Sequence, residues 1–448
     1  MNFKNIIKVV SLAMSISLLF VACGKGNIDT DGSNNGKAPY EITISPNYDD
    51  TDSDASSDKE TVNKEDREVP RITRKPANSD SNIDLRLTEA DFKRAIVDEG
   101  NTARLAKVLK KAANKERVVI GTIGGSITEG TAASSKNQCY ASYFYNWFCS
   151  AYPDTPVELY NVGKGATTSL MGAHRVETHL LDKNPDLVIV DFSVNDTVGS
   201  QTHKESYESL IRQILNDDNA PAVICLYMMD KNGKNTMDIH QPIAKHYGLT
   251  GISYKAAVWP DGGKKLYQWT EISPDDIHPN NTGHAIVGEL LIYYVETVRA
   301  NLDSLSTEMG SIPSALTANR FANAKLLNGF NTTPISKGSF NTNAYAWQFP
   351  GGWSSTSGSQ ALVIEVKDVK NIYLLWLSKA NDKGGTATIK VDGKLVATIN
   401  SDKYISWGDC AQELKLLESN TTGTHRIEIQ VTSASPKDDF DVLGLMVS

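Results

Sequence analysis

The chain has 448 residues, a formal net charge of −8 at pH 7 and a hydrophobic content of 40%. This composition is typical of a soluble globular protein, and the length exceeds that of one ordinary domain. Its lysines and arginines form no basic block, whereas nucleic-acid binding needs a clustered basic surface, so we expect no nucleic-acid partner.

Residues 1–23 predict an export signal. The segment has two early lysines and an apolar stretch from Ile6 to Ala22, and the small residue Ala22 stands directly before Cys23. The motif "FVAC" resembles the lipobox of bacterial lipoproteins, which implies a lipid anchor on Cys23 at the extracellular face of the cell envelope. An uncleaved membrane helix is the alternative, but Lys8 and three serines interrupt the apolar stretch.

Residues 24–80 are rich in Asp, Ser, Asn, Gly and Lys and contain few large apolar side chains. Such a segment cannot bury enough surface to offset the entropy lost on ordering. We therefore predict a flexible tether between the lipid anchor and the folded part of the chain.

Four further cysteines predict no disulfide framework. Cys139 and Cys149 lie ten residues apart on one predicted helix, which separates them by about 15 Å. A disulfide requires Cα atoms within about 7 Å. Cys225 lies in an apolar strand pattern and is predicted to be a core residue. No Cys/His cluster with zinc-ligand spacing occurs.

Residues 81–302 predict an α/β domain. Short, continuous apolar runs alternate with helical periodicity, which is typical of a parallel sheet covered on both faces. The predicted strands are 118–123, 157–162, 187–192, 222–227 and 251–256. The predicted helices are 103–114, 139–151, 168–181, 204–216, 237–247 and 282–302, within a stretch of helical periodicity that begins near Leu87. In such a sheet the ligand site lies at the carboxyl ends of the strands.

After a linker at residues 303–318, residues 319–448 predict an all-β domain of jelly-roll type. The predicted strands are 362–366, 372–377, 386–391, 395–399, 426–431 and 441–447. Asp392 and Gly393 predict a two-residue hairpin turn. Trp376 is predicted to be a core residue, whereas Trp347, Trp353 and Trp407 lie in Gly/Ser-rich stretches where aromatic rings could stack on sugars.

Polar motifs stand at the ends of the first three predicted strands and before the last helix. They are "GGSIT", "NVGKGATTS", "FSVND" and "DDIHPNNTGH". A serine hydroxyl needs a general base, and His278 can serve if a carboxylate such as Asp275 holds its other ring nitrogen. Pro279 restricts His278 to extended backbone conformations, which helps to aim the ring.

The oxyanion of a tetrahedral intermediate in acyl transfer needs hydrogen-bond donors that are already in position. Three such donors are available at these strand ends. They are the N–H groups of Ser126 and Gly165 and the side-chain amide of Asn195.

The four motifs, in this order, are similar to those of the SGNH (GDSL-type) hydrolase superfamily over residues 101–302. The resemblance implies a flavodoxin-like three-layer α/β/α sandwich without a metal or organic cofactor. It implies that Ser126 is the nucleophile, His278 the base and Asp275 the residue that orients it. Gly165 and Asn195 would complete the oxyanion hole begun by the N–H of Ser126.

Three positions depart from the family pattern. Gly125 and Ile127 stand where the first motif often has Asp and Leu, and Ser193 stands where the third motif often has Gly. Gly163 is an alternative to Gly165, which is preferred because "GATT" matches the usual continuation. Asp276 is an alternative to Asp275, which is preferred because of the D-x-x-H spacing.

Three further histidines and an arginine lie in or near these motifs. His284 is predicted to lie on the surface of the last helix. His174, Arg175 and His179 are predicted to be structural or to line the substrate site, and not to be catalytic.

Two other interpretations of the motif around Ser126 are excluded because the residue spacing that they require is absent. A phosphate-binding loop needs GxxxxGK[ST], or GxGxxG with a later acidic residue, and neither is present. The α/β-hydrolase motif G-x-S-x-G lacks its last glycine, because Thr128 stands there.

The hypothesis is a surface-anchored serine esterase that hydrolyses acyl esters, foremost O-acetyl esters, of a carbohydrate. A lipase-like acylhydrolase or an O-acyltransferase with the same triad is the alternative. An alternative of another class is a carbohydrate-binding surface protein with an inactive SGNH domain. The last strands resemble those of carbohydrate-binding jelly rolls. The alternative, a β domain that packs on the catalytic domain without binding sugar, agrees with the sequence equally well.

Overall fold

The computed structural model describes residue 83 and residues 85–343, 349–380, 384–402, 408–432 and 439–448. The predicted signal peptide, Cys23 and the predicted tether lie outside these residues, as do Trp347 and Trp407. Within the described ranges, no helix is both long enough and apolar enough to cross a membrane.

Among the described residues, a six-stranded sheet forms the centre of the first domain. Its strands are β1 (Ile96–Asp98), β2 (Val118–Gly124), β3 (Val157–Asn161), β4 (Leu187–Asp191), β5 (Ala222–Tyr227) and β6 (Thr250–Ser253). Their order across the sheet is β1-β6-β5-β4-β2-β3, with β1 antiparallel to β6 and the other pairs parallel. Without β1, this is the flavodoxin-like order, in which ligands bind where the strand order reverses.

Ten α-helices accompany this sheet in the described chain. They are α1 (Glu89–Ala95), α2 (Ala103–Ala113), α3 (Ser126–Glu129), α4 (Tyr140–Ala151), α5 (Ser169–His179), α6 (Gln201–Leu215), α7 (Met237–His246), α8 (Tyr254–Val258), α9 (Trp269–Ile272) and α10 (Asn281–Ala300). Short 3₁₀ turns occur at Lys136–Gln138, Leu181–Lys183 and Leu302–Ser304.

Both faces of the sheet are buried, as the continuous apolar strands predict. Leu187 and Ile189 of β4 pack into a core with α2, α4 and α10. Val188 and Val190 of the same strand pack into a second core with α5, α6 and α7. Helices therefore cover both faces, and the predicted α/β fold class is confirmed.

Two predictions about this domain are wrong. The stretch predicted as helical after Leu87 contains β1, whose three residues pair with β6 and are too few to show a period. The fifth predicted strand, 251–256, ends instead at Ser253, where α8 begins. The Ser253 hydroxyl accepts a hydrogen bond from the N–H of Ala256 at 3.2 Å and so caps that helix.

In the part of the chain that the structure describes, the second domain is an all-antiparallel sheet of eight strands. They are β7 (Lys325–Leu327), β8 (Asn341–Asn343), β9 (Gly352–Ser355), β10 (Leu362–Ser378), β11 (Thr386–Val391), β12 (Lys394–Asn400), β13 (Cys410–Val431) and β14 (Phe440–Val447). Seven of them follow the order β12-β11-β13-β10-β14-β9-β8, and β7 pairs with β14. The predicted all-β class is confirmed, while the jelly-roll assignment stays a prediction.

The long strands β10 and β13 explain how the predicted strand bounds differ from the observed ones. The predicted strands 362–366 and 372–377 are two parts of β10, which bulges between them. The predicted strand 426–431 is the end of β13. Asp392 and Gly393 form the predicted hairpin turn between β11 and β12, with φ values of 50° and 77°.

The β domain packs directly on the layer formed by α5 and α6. Tyr373, Leu375 and Leu443 of the β domain share one core with Leu170 and Met171 of α5. The other face of the sheet forms a core of its own, in which Trp376 stacks on Phe440 with ring centroids 6.3 Å apart. The core prediction for Trp376 is therefore confirmed.

Trp353 also belongs to that core, with no exposed surface. The prediction that its ring is open to a sugar is wrong, because β9 pairs with β14 and turns the indole inward.

Candidate active site

Ser126 is placed by the sharp change from β2 to α3. The strand ends at Gly124, Gly125 has an extended backbone, and Ser126 is the first residue of the helix. The first N–H groups of a helix have no partner within it. The serine therefore presents both its hydroxyl and its N–H at the carboxyl end of the sheet, beside the point where the strand order reverses.

His278 joins Ser126 to Asp275. Its Nε2 lies 2.8 Å from the Oγ of Ser126, and its Nδ1 lies 2.9 Å from the Oδ2 of Asp275. An ionised carboxylate only accepts hydrogen bonds, so Nδ1–H donates to Asp275 and Nε2 is free to accept the serine proton. The structure thus brings together three residues that are 152 positions apart along the chain at their widest.

Asp275 is held as an ionised acceptor. Burial raises its pKa, but hydrogen bonds from the ring and N–H of His278 and from the N–H of Ile277 outweigh that effect and leave the pKa below its usual value. Both N–H groups donate to Oδ1 at 2.7 Å. The neighbouring Asp276 instead forms an ion pair with Lys231 at 2.6 Å.

The loop that carries Asp275 and His278 is braced from within. The Ser273 hydroxyl contacts the carbonyl oxygens of both residues, at 2.8 Å and 2.7 Å. Just beyond them, Asn280 accepts a hydrogen bond from the N–H of Gly283 at 3.0 Å and caps α10. The Ser273 hydroxyl therefore holds the loop on one side and the first turn of α10 holds it on the other. Together they restrict the orientation of the imidazole.

Asn195 lies against Gly125, the residue before the serine. A Cβ on Gly125 would stand 2.2 Å from the Oδ1 of Asn195 and 3.0 Å from its Nδ2. Among the described residues the carboxamide of Asn195 has no hydrogen-bond partner. The absence of a side chain at position 125 therefore lets an unpaired amide donor lie close to Ser126.

Ser193 supports the loop that carries Asn195. Its hydroxyl donates to the Oδ1 of Asp191 at 3.0 Å and accepts from the N–H of Met228 at 2.7 Å. Burial raises the pKa of Asp191 to about 7. A glycine, which the related motif often has here, would lack this hydroxyl, so the serine provides a link between the ends of β4 and β5.

Gly165 lies at the expected strand end, but its N–H is engaged. It donates to the Oε2 of Glu129 at 2.8 Å. The alternative, Gly163, donates to the Oδ1 of Asn161 at 3.0 Å. Sequence reasoning missed Glu129, although it follows the serine by three residues on the same short helix and faces the second motif.

The prediction for His284 is wrong. Its side chain has no exposed surface, because α10 packs against α4 at this point. Its Nδ1 accepts from the N–H of Tyr140 at 3.3 Å, and its Nε2 lies 3.3 Å from the carbonyl oxygen of Thr131. Burial lowers the pKa of His284 to about 4. His174 and Arg175 are also buried, on the inner side of α5.

The β domain contacts the segment that follows Gly165. The Thr168 hydroxyl, at the start of α5, donates to the Oε2 of Glu413 at 3.1 Å. The Nζ of Lys164 lies 5.7 Å from the centre of the Phe349 ring. The second domain therefore borders the predicted site.

Comparisons with known proteins agree with this fold. Residues 122–286 match the model of the GDSL-like Lipase/Acylhydrolase family. The crystal structure of a two-domain esterase (CEX) active on acetylated mannans is 29% identical with a TM-score of 0.74. A crystal structure of such an esterase with mannopentaose is 28% identical with a TM-score of 0.72. Each match covers 80% of this chain and 98% of the other. A comparison with curated proteins found no match.

The fold and these similarities define the protein as a carboxylic ester hydrolase. More narrowly, residues 122–286 form a domain of the GDSL-like lipase/acylhydrolase family, and all five residues predicted for the triad and the oxyanion hole lie within it. An all-β domain follows it in the same chain.

Proposed function

We propose that the protein is a serine esterase that removes acyl groups, foremost O-acetyl groups, from a carbohydrate. The observation that carries the proposal is the His278 ring, which bridges the Ser126 hydroxyl at 2.8 Å and the Asp275 carboxylate at 2.9 Å. The similarity over both domains to an esterase active on acetylated mannans supports the choice of substrate class.

In the first half-reaction the Oγ of Ser126 attacks the ester carbonyl carbon, and its proton passes to the Nε2 of His278. The tetrahedral intermediate collapses when His278 returns this proton to the leaving sugar oxygen, which leaves an acyl group on Ser126. Water then attacks the acyl carbon with His278 as base, and His278 returns that proton to the Oγ of Ser126 as the bond between the acyl carbon and Oγ breaks and the carboxylic acid leaves. Asp275 stays ionised throughout and stabilises the charged imidazole.

The oxyanion is bound by the N–H of Ser126 and the side-chain amide of Asn195. One such donor contributes roughly 3–4 kcal/mol to lowering the barrier. The N–H of Gly165 can act as a third donor only after it leaves the carboxylate of Glu129, to which it donates in this structure.

The test of this function is hydrolysis of p-nitrophenyl acetate by the wild type and by Ser126→Ala. We expect turnover by the wild type and loss of at least 10³-fold in the variant. Equal rates, or none from either protein, would exclude the esterase and favour a binding protein with an inactive hydrolase domain.

The substrate and the acceptor need separate measurements. Acetate release from acetylated mannan, compared with acetylated xylan and with long-chain esters, tests the carbohydrate assignment against a lipase-like activity. Acyl transfer to an added sugar alcohol, measured beside hydrolysis, tests the acyltransferase alternative.

We further propose that Cys23 carries a lipid that anchors the protein at the extracellular face of the cell envelope. The support is the sequence motif "FVAC" after an apolar stretch. Metabolic labelling with an alkyne fatty acid should mark the wild type and leave Cys23→Ala unmarked. Equal labelling of both proteins would overturn the anchor.

A further inference from the structure

We propose that Arg175 and Glu129 are positioning residues that clasp together the strand ends bearing Ser126 and Gly165 and so fix the position of the oxyanion donor on Ser126. The proposal rests on the proposed function, because it concerns how well that site binds an oxyanion. Neither residue touches the reacting atoms in the mechanism above.

Arg175 is a cation with no exposed surface, and it reaches both strand ends at once. From α5 its Nη1 donates to the carbonyl oxygen of Val162 at 2.6 Å, and its Nη2 donates to that of Gly124 at 3.0 Å. Gly124 ends β2 two residues before Ser126, and Val162 follows β3 three residues before Gly165. A planar guanidinium has donors in a rigid fork, so it holds the two carbonyl groups at one separation.

Glu129 completes the clasp from the other side. It ends the short helix that begins with Ser126, and its carboxylate accepts the N–H of Gly165. Burial lowers the pKa of Arg175 to about 9, and the charge of Glu129 opposes that shift. The carboxylate fixes the direction of the Gly165 peptide.

The motifs that contain Ser126 and Gly165 pack closely against each other beside Arg175 and Glu129. A Cβ on Gly163 would stand 2.3 Å from the backbone nitrogen of Glu129. The side-chain amide of Asn161 donates to the carbonyl oxygen of Thr128 at 2.7 Å, and the N–H of Lys164 donates to that of Gly124 at 3.1 Å. Loss of the clasp would therefore let the turn that bears Ser126 shift against the second motif, and a shift of about 1 Å costs on the order of 10²-fold in rate.

The experiment compares Glu129→Gln with Glu129→Ala, because glutamine keeps an oxygen that accepts the N–H of Gly165 and alanine does not. We expect Glu129→Ala to lose about 10²-fold in kcat with KM within about threefold, and Glu129→Gln to recover most of that loss. The affinity for an alkylboronic acid, which forms a tetrahedral adduct with the serine, should fall in parallel with kcat/KM. Glu177→Ala, an exposed carboxylate on α5, is the matched control.

Arg175→Lys and Arg175→Met extend the test to the cation, with thermal unfolding measured to separate loss of fold from loss of rate. Lysine cannot hold both carbonyl groups in a fork, so we expect lower kcat and boronate affinity in the folded variant. If either arginine variant fails to fold, the Glu129 pair decides alone.

Equal kcat in the two Glu129 variants and the wild type would overturn the clasp. A higher kcat in Glu129→Ala would also overturn it, since the carboxylate would then be competing with the oxyanion for the N–H of Gly165. A wild type without esterase activity would instead overturn the proposed function, so the two failures are distinguishable.

Discussion

A Cβ on Gly125 would stand 2.2 Å from the Oδ1 of Asn195. The residue before the nucleophile is therefore small because the carboxamide of the third motif occupies the space in which its side chain would lie. In this structure a side chain at position 125, where the related motif often has aspartate, would therefore meet the carboxamide of Asn195.

Gly125→Ala should displace the Asn195 amide from the site. We expect kcat to fall about 10²- to 10³-fold, as for loss of one oxyanion donor, while KM changes little. Steady-state kinetics beside Asn195→Ala checks this, and the double variant should cost little more than either single one. Gly310→Ala, where an added Cβ meets nothing within 4 Å, is the control. Additive losses in the double variant would contradict the shared cause.

Asp275→Asn should lower kcat by about 10³- to 10⁴-fold, because the amide no longer holds the imidazole in the tautomer that accepts the serine proton. The adjacent Asp276→Asn removes only a partly exposed ion pair with Lys231, and its kcat should stay within about threefold. The two variants assayed on the same ester give the comparison. A similar loss in both would argue against the assignment of Asp275.

Asp191→Asn should change how stability depends on pH. Burial raises the pKa of Asp191 to about 7 in the folded chain, from its ordinary value of 3.8. Between these values the folded state keeps a proton that the unfolded state has lost. The stability due to this group is therefore fully present below about pH 4 and is lost as the pH rises through 7.

Melting temperatures of the wild type and Asp191→Asn between pH 4 and pH 8 check this effect. The difference between wild type and variant should shift against the wild type as the pH rises. The exposed Asp154, paired with Lys115 at the surface, supplies the control Asp154→Asn. Parallel pH curves for the wild type and Asp191→Asn would show that Asp191 is not protonated in the folded state.

Leu375→Ala tests whether the two domains form one cooperative unit. Leu375 has no exposed surface and belongs to the core shared with α5 and α6. Its truncation should cost about 2–5 kcal/mol of unfolding free energy. The exposed Leu395 of β12, truncated in the same way, should cost less than about 0.5 kcal/mol.

Urea unfolding followed by activity and by tryptophan fluorescence should give coincident transitions for the wild type. Separate transitions would show that the domains unfold independently.

The elements of the α/β sheet were predictable because each rests on a local pattern. Continuous apolar runs marked β2 to β5 to within a residue or two, and Asp392 and Gly393 marked a hairpin turn. Short elements without a period, such as β1 and α8, were not predictable, because tertiary pairing and a single cap decide them.

The sequence alone determined which chemical groups stand at the strand ends. The order of the motifs around Ser126, Gly165, Asn195 and His278 follows from the chain, and a parallel sheet brings the carboxyl ends of its strands to one edge.

Only the tertiary structure decided what each group contacts. It placed the Glu129 carboxylate on the N–H of Gly165, enclosed Arg175 between two strand ends and buried His284 and Trp353. These contacts join residues from separate elements, and no local pattern encodes them, because the partner of a side chain depends on how helices and strands pack in space.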